Sequence, residues 1–260
     1  ALPIYSIIED SEGDLWYGTN NGISLQDSKT GKWRSFLSTF ENVQNSKNHI
    51  FTTLCEVSPG IIWAGGYFSG LYQIDKRTSK TTYFTPASYA HESIRPDKYI
   101  RDIRKDSRGY VWSGGYYNLK RINVQTKDIR LYHGLHSVTA IIEKDDKSMW
   151  IGTATGLFLL DIESGKYERI QLPVESTYVY SLYQTKQGSL YIGTSGSGVL
   201  IYDPQTKLFT HYYTGNCAMI SNNIYTILSD EDNEILLSTE NGLTSFYPKQ
   251  KTFYNWTKEK

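Results

Sequence analysis

VTAIIEKDDKSMWIGT, residues 138–153, decides the fold, because five other stretches of the chain align with it without a gap. The other copies are IYSIIEDSEGDLWYGT from Ile4, FTTLCEVSPGIIWAGG from Phe51, IRDIRKDSRGYVWSGG from Ile100, VYSLYQTKQGSLYIGT from Val179 and IYTILSDEDNEILLST from Ile224. Positions are numbered from the first residue of each copy, so that Val138 occupies position 1. Internal repetition on this scale is typical of solenoids and propellers, whose units must stack to bury their apolar faces.

The start of each copy predicts a β-strand with apolar residues at positions 1 and 4. Position 1 holds Ile4, Phe51, Ile100, Val138, Val179 and Ile224, and position 4 holds Ile7, Leu54, Ile103, Ile141, Leu182 and Ile227. A helix would also place residues three apart on one face. The segments are short and rich in β-branched residues, however, which favours strands.

The middle of each copy combines a turn with a large aromatic residue. Glycine at position 10 in four copies, and Asn233 in the sixth, predict a residue with positive φ, whereas Lys147 indicates a different turn in the fourth copy. Position 13 carries the aromatic anchors Trp16, Trp63, Trp112, Trp150 and Tyr191, and position 15 carries Gly18, Gly65, Gly114, Gly152 and Gly193. A ring followed by bare backbone is expected where one sheet lies close against the next.

Two further strands follow in each copy. The third strand, as at 156–160, runs into a residue that we interpret as a turn cap: Asp27, Asp75, Asn123, Asp161 or Asp203. The fourth strands are predicted at Trp33–Phe36, Thr82–Phe84, Ile129–Tyr132, Tyr167–Ile170, Phe209–Tyr212 and Phe253–Trp256.

The repeat as a whole predicts an all-β fold, because four strands per copy and anchors 38 (150 − 112) to 49 (112 − 63) residues apart fit one propeller blade each. The sequence is therefore expected to form one β-propeller domain, 1–260, of six four-stranded blades. The blades are predicted at 3–36, 49–84, 98–132, 136–170, 177–213 and 222–256. The sequence leaves open whether six blades close into a ring or form a partial arc of a larger propeller.

Composition limits the partners of this chain. Its 260 residues contain 27 Lys and Arg against 27 Asp and Glu, so no general attraction to nucleic acid or an anionic membrane is expected. No apolar run is long enough to span a membrane, and the N-terminal stretch lacks the regions of a signal peptide. Cys55 and Cys217 are too few for a disulfide framework or a metal site, and we expect them to be unpaired, with Cys55 buried.

Catalytic motifs are sparse. His133 and His136 lie in a predicted loop without a third metal ligand, and GTSGSG at 193–198 aligns with a blade turn and precedes no predicted helix. Acidic residues recur at similar turn positions, which indicates a scaffold role: Asp10, Asp106, Asp145 and Asp230. The sequence therefore predicts no catalytic residue, metal or cofactor.

Deviations from the repeat mark the candidate site. Long connectors at 37–48, 85–97 and 214–221 join one blade's last strand to the next blade's first, so this rim is the candidate functional face. Copies two and three add aromatic and charged residues, and the candidate ligand-binding set is Tyr67, Phe68, Arg101, Asp102, Arg104, Tyr116 and Tyr117. Such a set suits a sugar. Alternatively, the rings fill space between blades and Arg101 pairs with Asp102 or a neighbouring acid.

The consensus I-x-x-I-x-x-D-x-x-G-x-L-W-I-G-T, followed by N-G-L and a D-x-x-T-x-x-F ending, resembles the two-component regulator propeller repeat. The resemblance is closest at 4–22, 138–166 and 179–209, and loosest in copy six, where Leu236, Leu237 and Ser238 replace Trp, Ile and Gly. It implies the periplasmic sensor region of a hybrid two-component regulator of Bacteroides-type bacteria. The parent would be an inner-membrane histidine kinase with further propeller and β-sandwich domains. Six copies instead of the family's seven blades are a departure.

We therefore expect a non-enzymatic sensor propeller that binds an oligosaccharide or another small ligand and signals through packing between domains. The carbohydrate class is implied by the resemblance alone. The alternative is a structural or protein-interaction propeller without a small ligand, with a homodimer as one form. A propeller lyase is disfavoured because no distinctive acid–base pair is present.

Overall fold

The computed structural model describes residues 3–37, 50–84, 99–230 and 234–257. All strands in these ranges belong to six four-stranded antiparallel sheets, which confirms the all-β fold and the six propeller blades. None of these residues forms an apolar helix of membrane-spanning length. The predicted blade starts at 49 and 98, the connector at 85–97, most of the connector at 37–48 and the turn residue Asn233 lie outside the described residues.

The strands follow one another in chain order within every sheet. Blades one and two consist of β1 (Ile4–Glu9), β2 (Leu15–Thr19), β3 (Gly22–Gln26), β4 (Trp33–Phe36), β5 (Ile50–Ser58), β6 (Ile61–Tyr67), β7 (Gly70–Asp75) and β8 (Thr81–Tyr83). Blades three and four consist of β9 (Ile100–Lys105), β10 (Val111–Gly115), β11 (Leu119–Ile122), β12 (Ile129–Tyr132), β13 (Val138–Asp145), β14 (Ser148–Thr153), β15 (Gly156–Asp161) and β16 (Tyr167–Ile170). Blades five and six consist of β17 (Val179–Gln184), β18 (Leu190–Thr194), β19 (Val199–Asp203), β20 (Leu208–Tyr212), β21 (Ile224–Ser229), β22 (Ile235–Thr239), β23 (Gly242–Tyr247) and β24 (Thr252–Trp256). The predicted fourth strands are therefore correct to within one residue.

The chain divides into two compact units, Ala1–Val138 and Thr139–Lys260. Blades one to three lie in the first unit and blades four to six in the second. In each unit the apolar clusters lie between successive blades. Trp16 of blade one packs with Phe51 of blade two, and Trp150 of blade four packs with Val179 of blade five. The blades are thus held together by the burial of apolar surface that no single sheet could cover alone.

A β-bulge explains why the apolar residues of the first strand are three positions apart. The pairing of β1 with β2 shifts between Ile4 and Ser6, and the pairing of β17 with β18 shifts between Val179 and Ser181. The extra residue restores the same facing for positions 1 and 4, which strict alternation would place on opposite sides. The spacing that resembled a helical pattern is therefore a feature of bulged strands.

The glycines at position 15 allow close contact between blades, as the sequence predicts. A Cβ on Gly152 would lie 2.7 Å from Cγ1 of Val179, the first residue of the next blade. A Cβ on Gly18 would lie 2.6 Å from the carbonyl oxygen of Phe51, again the first residue of the next blade. The preceding anchors are buried: Trp16, Trp63, Trp112, Trp150 and Tyr191 are each at most 4% exposed. The aromatic anchor at position 13 and the glycine at position 15 therefore both belong to the interface with the next blade.

The predicted turns are also present. Gly13, Gly60, Gly109 and Gly188 at position 10 all have positive φ, and Lys147 is not among the residues with positive φ. The capping carboxylates accept from backbone N–H groups, as where Oδ1 of Asp203 accepts from Gln205 N–H at 2.8 Å. The GTSGSG segment, 193–198, comprises the last two residues of β18 and the turn to β19.

The first strand of blade one is exposed on the face that the other blades bury. Ile4 and Ile7 are 53% and 57% exposed, whereas their counterparts Ile100 and Ile103 are 2% and 1% exposed. Blade one therefore presents an apolar face to solvent.

Candidate functional site

The candidate residues of blades two and three converge on Tyr99. The ring centroid of Tyr99 lies 6.3 Å from that of Tyr67, 4.7 Å from that of Phe68 and 6.2 Å from that of Tyr116. The guanidinium carbon of Arg101 lies 5.9 Å from the Tyr67 ring centroid, within the range of a cation–π contact. We call these five residues the Tyr99 cluster. It brings together four of the seven residues predicted from the sequence.

The backbone fixes the Tyr99 cluster at one end of the blades. Tyr67 and Tyr99 form an isolated antiparallel bridge, and the Tyr116 N–H donates to the Tyr99 carbonyl at 3.2 Å. Tyr67 ends β6, Tyr99 precedes β9 and Tyr116 follows β10. This is the end at which each fourth strand finishes and each first strand begins. The cluster therefore lies on the rim that the connector lengths predict as functional.

Several rings of this rim are open to solvent. Phe68 is 50% exposed and Tyr116 is 53% exposed, and Tyr117, whose ring centroid lies 4.9 Å from that of Tyr116, is 38% exposed. Phe68 also has a φ of +60°, in the left-handed region that side-chain-bearing residues enter at a cost of about 1–3 kcal/mol. An exposed aromatic residue held in a costly conformation is a recurrent feature of binding sites.

Asp102 and Arg104 pair with each other. The Nε atom of Arg104 lies 3.2 Å from Oδ1 of Asp102, whose side chain is 10% exposed, while that of Arg104 is 56% exposed. Arg104 is thus one partner of Asp102, and the alternative that Arg101 pairs with Asp102 or a neighbouring acid stays a prediction. This pair follows the Tyr99 cluster along β9.

Sequence reasoning missed Tyr99 because this residue precedes position 1 and so falls outside the aligned repeat. The available signal was an aromatic residue at the junction of a long connector and a first strand. The equivalent residue of blade five is Tyr178, whose carbonyl accepts from the Ser195 N–H at 3.0 Å, as that of Tyr99 does from Tyr116. Tyr178 and Tyr180 have ring centroids 4.8 Å apart. The same rim position is thus aromatic in both units.

A buried ion cluster joins blades one and two and was also missed. The Nζ atom of Lys76 lies 2.6 Å from Asp10, 2.6 Å from Glu12 and 2.8 Å from Asp14. The side chain of Lys76 is 6% exposed, that of Asp10 is fully buried and that of Asp14 is 10% exposed. Arg34 Nη1 adds a hydrogen bond to the Lys76 carbonyl at 2.9 Å. We call Lys76 and its three acids the Lys76 cluster.

The Lys76 cluster already contains its cation. Asp10, Glu12 and Asp14 lie close enough together to hold a metal ion, but the Lys76 ammonium contacts all three carboxylates. Burial alone would raise the pKa of Asp14, yet the hydrogen bonds from Lys76 and Ser28 outweigh it and lower the pKa to about 2. The pKa of Asp10 is lowered in the same way, by Lys76 and Trp16 against the effect of burial. The three acids therefore act as a structural ion pair network.

Among the residues that the structure describes, no histidine or cysteine belongs to a group that could hold a metal ion. His136 Nδ1 lies 2.6 Å from the Tyr117 carbonyl oxygen, at the edge of the Tyr99 cluster, and His133 is exposed. Both cysteines are free, and the prediction that Cys55 is buried is wrong, because this residue is only partly buried. Burial raises the pKa of both thiols, so neither is activated as a thiolate.

Comparison with known proteins agrees with the repeat. The family model described as two component regulator propeller matches residues 1–21 and 173–196, in the first and fifth copies. Histidine kinase P4 of Formosa agariphila is 25% identical in an alignment 276 residues long, which covers 97% of this chain and 20% of the kinase. The resemblance to the two-component regulator propeller repeat is thereby confirmed. The chain spans about a fifth of the length of that relative.

Solved structures share the fold. An extracellular domain assigned to a hybrid two component system of B. thetaiotaomicron aligns with a TM-score of 0.81 at 18% identity, over 99% of this chain and 35% of that one. Virginiamycin B lyase of Staphylococcus aureus aligns with a TM-score of 0.79 at 14% identity, over 99% of this chain and 85% of that one. At such identities these likenesses show the fold alone.

Proposed function

We propose that this chain is the extracytoplasmic ligand-sensing propeller of a hybrid two-component regulator and that it binds a glycan fragment at the Tyr99 cluster. The observation that carries the proposal is the convergence of exposed rings from two blades that depart from the repeat. The similarity to a histidine kinase and to an extracellular domain of a hybrid system supports the sensor role.

The chemistry of the Tyr99 cluster suits a saccharide. Sugar rings have apolar C–H faces and polar edges, and Phe68 and Tyr116 offer exposed aromatic faces to stack on. Arg101, positioned against Tyr67, supplies a multiple donor for sugar hydroxyls or a carboxylate.

The signal would pass through packing with other domains of a parent histidine kinase in the periplasm. A ligand shifts an equilibrium between two arrangements by the difference in its affinity for them. Contacts from a connector-side rim to a neighbouring domain would supply that difference. In this proposal the kinase reaction belongs to the parent protein. The candidate residues of this chain form an aromatic surface and the Asp102–Arg104 ion pair.

A specific observation favours a second candidate, a protein-interaction propeller. Ile4 and Ile7 expose an apolar face on blade one that the equivalent residues of other blades bury. A second protein surface, including another copy of this chain, would cover it. Light scattering over a concentration series tests this candidate. Reversible association that Ile7→Lys abolishes supports it, and a monomer at every concentration rejects a second copy of the chain as the partner.

The test of the glycan proposal begins with thermal shift against a panel of plant and host oligosaccharides. A ligand that binds only the folded state stabilises it by about 2.7 kcal/mol when the ligand concentration is a hundred times the Kd, and the Tm rises accordingly. With the hit in hand, Tyr116→Ala is expected to weaken binding at least tenfold in calorimetry and to leave the Tm of the free protein within about 2 °C, since Tyr116 is 53% exposed.

Tyr254→Ala is the matched control, because Tyr254 is 58% exposed and lies on the outer strand of blade six. It is expected to bind like wild type. A panel with no hit, or a Tyr116→Ala protein with wild-type affinity, would reject the site.

A further inference from the structure

A row of tyrosine rings lies on the connector-side rim of the second unit. The ring centroid of Tyr180 is 4.8 Å from that of Tyr178 and 5.2 Å from that of Tyr225. Tyr180 and Tyr225 both occupy position 2 of their copies, in blades five and six. Tyr225 is 44% exposed, whereas Tyr178 and Tyr180 are half-buried. The row therefore ends in a ring that is open to solvent.

Glu240 places a carboxylate beside the exposed end of this row. Partial burial raises the pKa of the Tyr225 hydroxyl, and the nearby charge of Glu240 raises it further. Asn223, directly before the first strand of blade six, donates from Nδ2 to Oε2 of Glu240 at 2.8 Å. The carboxylate and the exposed ring therefore border the same area of the rim.

The turn that carries Glu240 is held in place by hydrogen bonds. Thr239 Oγ1 donates to the Gly242 carbonyl at 2.9 Å and accepts from the Asn241 N–H at 3.2 Å. Asn241 Nδ2 donates to the Ile220 carbonyl at 3.0 Å. The backbone on both sides of Glu240 is thus fixed, so that little conformational freedom is lost when this residue binds a ligand.

The carboxylate of Glu240 has no cation of its own. Among the residues that the structure describes, Glu240 takes part in no ion pair. The sequence from 187 to 248 contains six Asp and Glu but only one Lys or Arg, Lys207, which gives a net charge of −5 (1 − 6). Lys207 belongs to the turn between β19 and β20, at the opposite end of the blades from Glu240. This part of the rim therefore attracts cations.

No other copy of the repeat has an acid at the place of Glu240. Glu240 occupies position 17, counted on from the 16 aligned residues, and the other copies have Asn20, Tyr67, Tyr116, Ala154 and Ser195 there. The same rim position thus carries rings of the Tyr99 cluster in blades two and three and a carboxylate in blade six. A departure at one copy of a regular repeat marks a position under a separate constraint.

We propose that Glu240, Asn223, Tyr180 and Tyr225, the Glu240 site, bind a small ligand through an organic ammonium group. The carboxylate pairs with the cation, and the exposed face of Tyr225 attracts it through the quadrupole of the ring. Tyr180 supports that ring from behind, and Asn223 orients the carboxylate. The proposal does not depend on a ligand at the Tyr99 cluster, because the two sites share no residue.

Calorimetric titration of the full chain tests the proposal. The probes are choline, glucosamine and their neutral counterparts 3,3-dimethylbutan-1-ol and N-acetylglucosamine, at constant ionic strength and about pH 6.5, where amines are protonated. We expect saturable one-to-one binding of at least one cation, at least ten times tighter than that of its neutral counterpart. Choline alone, glucosamine alone or both identify a quaternary or a primary ammonium group as the preferred source, and each supports the site.

Three variants locate the binding. Glu240→Gln keeps the size of the side chain and an oxygen for the Asn223 amide but removes the charge, and it is expected to weaken cation binding at least tenfold. Tyr225→Leu keeps apolar bulk but removes the aromatic face, and it is expected to weaken binding at least fivefold. Glu168→Gln is the matched control, because it removes the same charge from an exposed residue of β16 in blade four and should leave affinity unchanged.

Each of three results would overturn the proposal: neither cation saturates, both cations bind no tighter than their neutral counterparts, or both Glu240→Gln and Tyr225→Leu retain wild-type affinity. Circular dichroism of each variant confirms that it is folded.

Discussion

Lys76→Met is expected to destabilise the first unit by about 3–5 kcal/mol at pH 7, the usual cost of removing one partner from a buried ion pair. The substitution leaves the fully buried Asp10 and the 10% exposed Asp14 without the ammonium that lies 2.6 and 2.8 Å away. Glu12, which is 60% exposed, adds little, because solvent screens its charge. Methionine keeps the length and packing of the lysine stem. The measurement is urea unfolding followed by circular dichroism.

The pH dependence makes the Lys76→Met prediction specific. In wild type the pKa of Asp14 is lowered from 3.8 to about 2, so its stabilising effect is full above about pH 4 and is lost as the pH falls from 4 to 2. In the variant, burial and mutual repulsion raise the pKa of both aspartates, so protonation stabilises its folded state as the pH falls. The difference in unfolding free energy between the two proteins should therefore be largest near pH 7 and shrink below pH 4.

Lys80→Met is the matched control for Lys76→Met. It removes the same charge from an exposed lysine in the following turn and should change stability by less than about 0.5 kcal/mol. An equal effect of the two substitutions, a loss below 1 kcal/mol for Lys76→Met, or a difference that stays constant between pH 3 and 7 would refute the reasoning.

Two further predictions follow from the repeat. Gly152→Ala should lower the free energy of unfolding by about 1–3 kcal/mol, because the added methyl group clashes with Val179. Val179→Ala in the same protein makes room for that methyl group and should recover part of the loss. If urea unfolding shows that the two substitutions have strictly additive effects, the two residues do not compete for space. Ile103→Asn should lower the free energy of unfolding by about 3–5 kcal/mol, because Ile103 is buried. Ile7→Asn changes the same repeat position in blade one, where the side chain is 57% exposed, and should lower it by less than about 0.5 kcal/mol. Similar shifts of the two unfolding midpoints would contradict the exposure of Ile7.

The sequence predicts features of the fold that recur in every copy. The anchor at position 13 and the glycine at position 15 follow from local rules, because the first residue of the next blade fills the space that a Cβ would occupy, as Val179 does beside Gly152. The bulge could not be foreseen, since its signature, two apolar residues three apart, also fits a helix. Register at that point is decided by pairing with the second strand.

Contacts between distant residues account for most of what sequence reasoning missed. At position 7, Asp10 and Asp106 accept from the Nε1–H of their own anchors, Trp16 and Trp112, at 2.9 Å, a local bond that the column of aspartates signals. The aspartates at position 7 do not, however, indicate which Lys or Arg residue neutralises them. Lys76 is 66 residues from Asp10, and Arg121 is 15 residues from Asp106 on another strand. Their partners depend on how strands and blades come together.

The same column explains two unsatisfied groups. Copies two and four have Val57 and Lys144 at position 7, and there the anchor Nε1 atoms of Trp63 and Trp150 are buried without a hydrogen-bond partner. The scaffold interpretation of Asp10 and Asp106 is therefore correct for a reason that the sequence alone did not supply. The deviations from the repeat led to four residues of the Tyr99 cluster, whereas Tyr99 itself, at its centre, was found only in the structure.

Hydrogen–deuterium exchange with and without the oligosaccharide found by thermal shift tests the central claim most directly, because bound ligand protects the backbone that it orders. The account predicts slower exchange in peptides covering Tyr67–Gly70, Tyr99–Asp102 and Gly115–Tyr117, with Tyr116→Ala abolishing the effect. Protection confined to other blades, or none at saturating ligand, would contradict it.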